Sequence, residues 1–229
     1  MVRGTYEELA VGDERVRQYA SGMASPAPRV VAFHPWWGLN DDVIAYVDRL
    51  AGAGFSVAAP DLVRGRLAST VEEAERLVGG ADQDHADAVA LAAIDRLAAS
   101  ATGPTIGAVG FSFGAAWAMW CAAKRPTVAA SVVYYGTISG PSLEQASVPV
   151  LGHFAEHDPY EPDEGVMAFE RSLRDTGRRV VRIHRYPGTG HWFAEPSRDA
   201  WRAEAANLAF ERTVAFLREH LPARQDFTG

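Results

Sequence analysis

Short apolar runs that alternate with helical periodicities across the centre of the chain constrain its fold more than any other feature. Arg29–Phe33 is an apolar run stopped by Pro35; from Asp41 the pattern turns helical, with Val43, Ile44, Val47 and Leu50 on one stripe and Gly52 and Gly54 as stop signals. Residues 55–59 read as the next strand, closed by Pro60, and residues 70–78 and 84–98 read as helices, the second with Val89, Ala93, Ile94 and Leu97 on its apolar side. Strand signals return at residues 105–111, 130–135, 148–154 and 179–186, with helices between most of them and a last helix over 202–217. Such alternation predicts an α/β fold: a doubly wound, mostly parallel sheet with helices on both faces, because right-handed crossovers place them there. Ligands then bind at the carboxyl ends of the strands. Residues 1–25 are expected to form an antiparallel edge, and the 229 residues to form one domain.

Composition excludes several functions. The net charge of -7, with arginines scattered among Asp and Glu, argues against nucleic acid as a partner. Nowhere does the chain reach the run of apolar residues that a membrane span requires, and its start lacks the apolar core of a secretory signal, so the expectation is a cytoplasmic protein without membrane partners. The single cysteine, Cys121, rules out an internal disulfide framework. Its place in an apolar helical stretch reads as a buried thiol rather than a nucleophile. Lys124 is the only lysine, and neither a phosphate-binding Gly-Lys-Ser/Thr loop nor a Tyr-x-x-x-Lys pair is present.

The chemistry concentrates in Gly110-Phe111-Ser112-Phe113-Gly114, between the apolar run Ile106 to Val109 and a helical segment from Ala115 to Ala123. That is the strand, turn and helix context of the nucleophile elbow of α/β-hydrolases, in which small flanking residues let strand and helix approach while the serine hydroxyl stands free. The same glycines also suit a plain tight turn or a dinucleotide loop, although the latter more naturally follows a first strand. A serine needs a base, and the base needs an acid to fix its tautomer. His191, in the glycine-rich stretch Tyr186 to Phe193, is the candidate base, although a loop histidine can equally be solvated. Asp158, followed by the chain-turning Pro159 after a strand, is the candidate acid, with Glu156 and Asp163 as rivals. The oxyanion donors are expected to be the backbone N–H groups of Phe113, after the nucleophile, and Trp36, in the loop after Phe33. His34, at a strand end, reads as structural. Trp36, Trp37, Phe111, Phe113, Trp117, Trp192 and Phe193 are candidate aromatics for a substrate cleft.

From Val30 to Leu217 the chain resembles the dienelactone hydrolase family. The resemblance rests on HPWWGLN, APDL at Ala59 to Leu62, GFSFGA at Gly110, VVYYG at Val132, HFAEHDPYEP at His153, GHWFA at Gly190 and ERTVAFL at Glu211. It implies a small hydrolase without a large lid and a triad at Ser112, Asp158 and His191. There are departures. Family enzymes that open dienelactone carry a cysteine at the position of Ser112 and a glutamate at that of Pro35, and they hold the substrate carboxylate with arginines. One of those arginine positions is here Glu195, while Arg64 and Arg66 flank Gly65 at the other. The resemblance therefore implies that Glu195 faces substrate and disfavours carboxylates, and it points away from dienelactone itself.

The reading that follows is a serine hydrolase that cleaves a small carboxylic ester or lactone through an acyl-serine, as a monomer or small homo-oligomer, with no metal and no organic cofactor. A non-catalytic small-molecule binder on the same fold, or an acyltransferase, is the alternative.

Overall fold

The computed structural model describes residues 2–23, 27–99, 105–175, 177 and 180–221. In chain order the elements are β1 (Thr5–Val11), β2 (Glu14–Ser21), β3 (Arg29–Phe33), α1 (Asp41–Gly52), β4 (Ser56–Pro60), α2 (Val71–Gly79), α3 (Gln83–Ala99), β5 (Ile106–Phe111), α4 (Ala115–Lys124), β6 (Val128–Tyr134), α5 (Pro141–Gln145), β7 (Val150–His157), α6 (Asp163–Asp175), β8 (Val181–Gly190) and α7 (Ala203–His220). The strands form one sheet in the order β1-β2-β4-β3-β5-β6-β7-β8. β3 to β8 pair in parallel, whereas the β1–β2 hairpin joins β4 antiparallel and supplies the expected edge. Of the residues assigned to that edge, 1, 24 and 25 lie outside the described residues, as does Arg179 at the start of the last expected strand.

Local chemistry sets the helix starts. Asn40 caps α1 by accepting from the Val43 N–H at 3.2 Å, and Thr70 and Glu73 form a reciprocal capping box at α2. Neighbouring strand residues serve opposite layers. Val31 and Phe33 pack with α3 and α4, while Val30 and Ala32 pack with α1 and α7, so the central strands are apolar on both sides. Gly107 sits where a Cβ would meet Leu217 of α7 at 2.7 Å, which lets that helix lie close to the sheet. Cys121 is fully buried in the α4 layer, and burial pushes its thiol well up, in keeping with an inert side chain. Among the described residues no helix is long and apolar enough to cross a membrane.

Two strands run further than their apolar patterns suggest. β7 continues to His157 and β8 through Pro187 to Gly190, and the pairing resumes after a bulge with His157 opposite Gly190. The stretch read as a glycine-rich loop is thus largely strand. Its register puts the next residue on each strand, Asp158 and His191, side by side at the carboxyl edge of the sheet.

Candidate active site

Ser112 follows β5 on a 3-10 turn, Ser112–Gly114, that leads into α4, and its φ is +48°. A non-glycine residue there carries strain, and tight packing holds it. A Cβ on Gly114 would lie 2.6 Å from the His34 carbonyl oxygen and closer still to that of Phe33; one on Gly110 would fall on the Gly114 backbone. Gly114→Ala is therefore expected to destabilise the fold by about 3 kcal/mol, because the clash is with backbone that cannot swing away, and denaturant titration measures it.

The Ser112 hydroxyl lies 2.9 Å from His191 Nε2. His191 Nδ1 lies 2.7 and 2.9 Å from the two Asp158 oxygens. Both side chains are nearly sealed from solvent, at 4% and 1% exposure. Asp158 Oδ1 also accepts from the N–H groups of Tyr160 and Glu161 at 3.0 and 3.1 Å, so the carboxylate is fixed from its own turn. Glu161 in turn accepts from the Thr137 N–H and hydroxyl at 3.0 and 2.6 Å, which ties the acid's loop to the loop after β6. The rival acids point elsewhere. Glu156 accepts from the Gly188 N–H at 2.7 Å, and Asp163 pairs with Arg185.

The N–H of Phe113 lies in the first turn after β5, where the groups have no intrahelical acceptor. Trp36 occupies a tight turn closed by the Gly38 N–H on the Pro35 carbonyl at 3.1 Å. That loop is anchored by His34, whose Nε2 accepts from the Leu62 N–H at 3.0 Å while Nδ1 donates to the Pro35 carbonyl at 2.7 Å. Burial lowers the His34 pKa, which keeps the ring neutral in this structural role.

Beside His191 stands an aromatic wall. The rings of Trp36, Trp37 and Trp192 are mutually 5.2 to 5.9 Å apart, and Tyr160 lies 4.9 Å from His191 and 5.3 Å from Trp192. On another side Tyr135 packs 5.0 Å from the imidazole. Ser112, Tyr135 and Trp192 are three of the four non-glycine residues with positive φ among the described residues, so backbone strain concentrates at this site.

Residues 16–221 match the dienelactone hydrolase family. The chain belongs to that family. It is a carboxylic ester hydrolase by family membership. Protein usf of Aquifex pyrophilus is 30% identical over 95% of this chain and 99% of its own. A dienelactone hydrolase-like promiscuous phosphotriesterase from metagenomic libraries superposes with a TM-score of 0.82 at 22% identity, over 96% of this chain and 98% of its own. Thermogutta terrifontis esterase 2, phosphonylated by cyclosarin, superposes with a TM-score of 0.72 at 16% identity, over 96% of each chain. Both structural likenesses concern the α/β fold.

Within this family member several expected cleft residues lie elsewhere. Phe111 is buried on the α1 and α7 side, stacked on Tyr134 at 4.7 Å, because the strand alternation that ends at the elbow turns it to that layer. Trp117, one turn into α4, is buried against α3 and donates from Nε1 to Asp87 at 2.9 Å; Phe113, half-buried, rests on it. Phe193 is fully buried against Tyr186 and Tyr135. Arg64 is committed to Glu14 at 2.9 Å and Asp82 at 3.5 Å, and Arg66 Nε donates to the Val63 carbonyl.

Glu195 requires the largest correction. It is buried, its side chain accepts from the Tyr135 hydroxyl at 3.0 Å, and its other carboxyl oxygen has no hydrogen-bond partner among the described residues. Burial pushes its carboxyl up to about 8, with the Asp42 carboxylate adding to the rise. A sheltered acid that keeps its proton at neutral pH does not repel a substrate carboxylate, so the expected bias against anionic esters loses its basis. Tyr135 and Tyr160 were present in the quoted motifs VVYYG and HFAEHDPYEP, but nothing in their spacing indicated that they touch the imidazole.

Proposed function

We propose that the protein cleaves a small carboxylic ester or lactone through an acyl-enzyme on Ser112. The observation that carries this reading is the continuous hydrogen-bonded chain from Ser112 through His191 to Asp158. The Ser112 hydroxyl gives its proton to His191 Nε2 as Oγ attacks the carbonyl carbon, and Asp158 holds the imidazole in the tautomer that accepts it. The N–H groups of Phe113 and Trp36 take up the negative charge on the former carbonyl oxygen. On collapse His191 returns the proton to the departing alkoxide. In the second half the imidazole draws a proton from water, which attacks the acyl carbon, and then passes that proton to Ser112 Oγ as the acyl–oxygen bond breaks.

The aromatic wall of Trp36, Trp192 and Tyr160 favours an apolar acyl or alcohol group next to that centre. The test is covalent. Thermogutta terrifontis esterase 2, which shares the fold, is described as phosphonylated by an organophosphorus agent. A fluorophosphonate is accordingly expected to add once to the native protein, at Ser112, as read by intact mass and peptide mapping. Labelling at Cys121, or none on folded protein, would overturn the serine mechanism and favour a binding role.

A further inference from the structure

Glu195 has no part in the chemistry above, yet it sits one ring away from the base. Its Oε1 accepts from Tyr135, whose ring packs on His191, and Tyr135 is itself held in place by its N–H on the His153 carbonyl at 2.7 Å and by a φ of +37°. Burial keeps the Tyr135 proton on its hydroxyl, so the bond to Glu195 has a fixed donor. The charged and titratable groups that face Glu195 come from three directions. Asp42 and Tyr46 face it from α1, Tyr135 from the end of β6, and Arg198 from its own turn. Asp42 accepts from the Ser197 N–H at 3.1 Å and from its hydroxyl, which keeps a carboxylate close by. Arg198 lies over the face of Trp37 at 3.7 Å and makes no hydrogen bond to the Glu195 side chain. Pro35, Val43 and Phe111 complete an apolar surround. A carboxylate in such a place is costly, because the loss of water outweighs the attraction of Arg198.

We propose that Glu195 is a positioning residue for the hydrolase site proposed above, bracing His191 by accepting the Tyr135 hydroxyl and so fixing the ring that packs on the imidazole. The neutral acid accepts one bond from Tyr135 and fits its apolar surround. Without that acceptor the buried Tyr135 hydroxyl is left unpaired, and the ring that backs the imidazole loses its fixed position. Misplaced general bases slow turnover more than they weaken binding.

The proposal rests on the acyl-serine reading, and the experiment separates the two. With a neutral chromogenic ester, Glu195→Leu, which removes the acceptor, is expected to lower kcat on the order of tenfold at neutral pH with KM little changed. Glu195→Gln, which keeps an acceptor, recovers most of that loss. Tyr135→Phe behaves as Glu195→Leu does. A folded Glu195→Leu protein with wild-type kcat, or a folded Glu195→Gln protein no faster than Glu195→Leu, overturns the positioning role while labelled Ser112 leaves the hydrolase reading standing. Folded wild-type protein that neither labels nor hydrolyses esters overturns both.

The same burial gives stability a pH dependence of definite sign. Glu195 holds its proton in the folded state up to about 8 against an ordinary value of 4.5, so between those values the folded protein binds more protons than the unfolded chain and stability declines with pH. Glu195→Gln should therefore match wild type in Tm near pH 4 and exceed it increasingly from pH 5 to 8. An unchanged difference across that range would mean that the carboxyl is ionised throughout.

Discussion

Ser112→Ala is expected to lower kcat/KM for any ester substrate by about five orders of magnitude, to the residual level that binding and the oxyanion donors supply alone. The loss is that large because the three residues act as one device. Without Oγ, the pairing of His191 with Asp158 has no nucleophile to activate. The fold should not suffer in parallel. Ser112 sits at φ +48°, and the 2.9 Å bond to His191 is its described side-chain contact, so alanine forfeits little packing. Ser112→Gly sharpens the point. Glycine relieves a left-handed penalty of about 1 to 2 kcal/mol and gives back about 0.5 to 1 in chain entropy. It should thus be inactive yet at least as stable as wild type in thermal denaturation. An inactive and strongly destabilised Ser112→Gly would show that the elbow is held by something other than the packing of Gly110 and Gly114. A variant that retains turnover would remove Ser112 from the mechanism.

How much of this was legible in the chain depends on the range of the interaction concerned. The parallel core could be read because Val30, Val31, Ala32 and Phe33 need apolar partners on both faces, a demand that local sequence states directly. The hairpin edge was legible in outline from its weak alternation. The ends of β7 and β8 were not. Glu156, His157, Pro187 and Gly188 carry no strand signal, and they belong to strands because β7 and β8 pair with each other across a bulge, where Gly188 takes a φ of +68° and the Glu156 carboxylate fastens its N–H. Ser112 was recognisable from glycines that backbone crowding demands, and His191 from the glycine-rich stretch that precedes it. Asp158 was separable from Glu156 by Pro159, and the register of the extended strands is the fact that puts it beside His191. The aromatics were the least readable part. Whether Phe111 or Phe113, two residues apart across a strained turn, faces the core depends on where strand alternation ends. Trp117 depends on the distant Asp87. Glu195 was misplaced for the same reason, since its position after the His-x-Phe segment was visible but the burial imposed by Tyr135, Asp42 and Phe111 was not.

Asp158→Asn should reduce kcat by about four orders of magnitude with little change in KM or in stability, and the reason lies in who donates to whom. In the native site the carboxylate has only acceptors to offer, and it spends them on His191 Nδ1–H and on the N–H groups of Tyr160 and Glu161. An asparagine at 158 has one oxygen. The two backbone donors are fixed in their turn, so the amide oxygen is expected to stay with them and the amide nitrogen to face the imidazole. Nδ1 must then accept rather than donate, which moves the ring proton to Nε2, where it points at Ser112 and leaves no lone pair to take the hydroxyl proton. The geometry survives while the base is disabled. Fluorophosphonate labelling of Ser112 should slow by a comparable factor, since it needs the same proton transfer, while Glu156→Gln, on an exposed carboxylate bonded to Gly188, should leave both rates within about threefold of wild type, as expected for a surface change. Stopped assays on the three proteins with one chromogenic ester decide the matter. If Glu156→Gln collapses the rate and Asp158→Asn does not, the acid has been misassigned despite its 2.7 Å contact with His191.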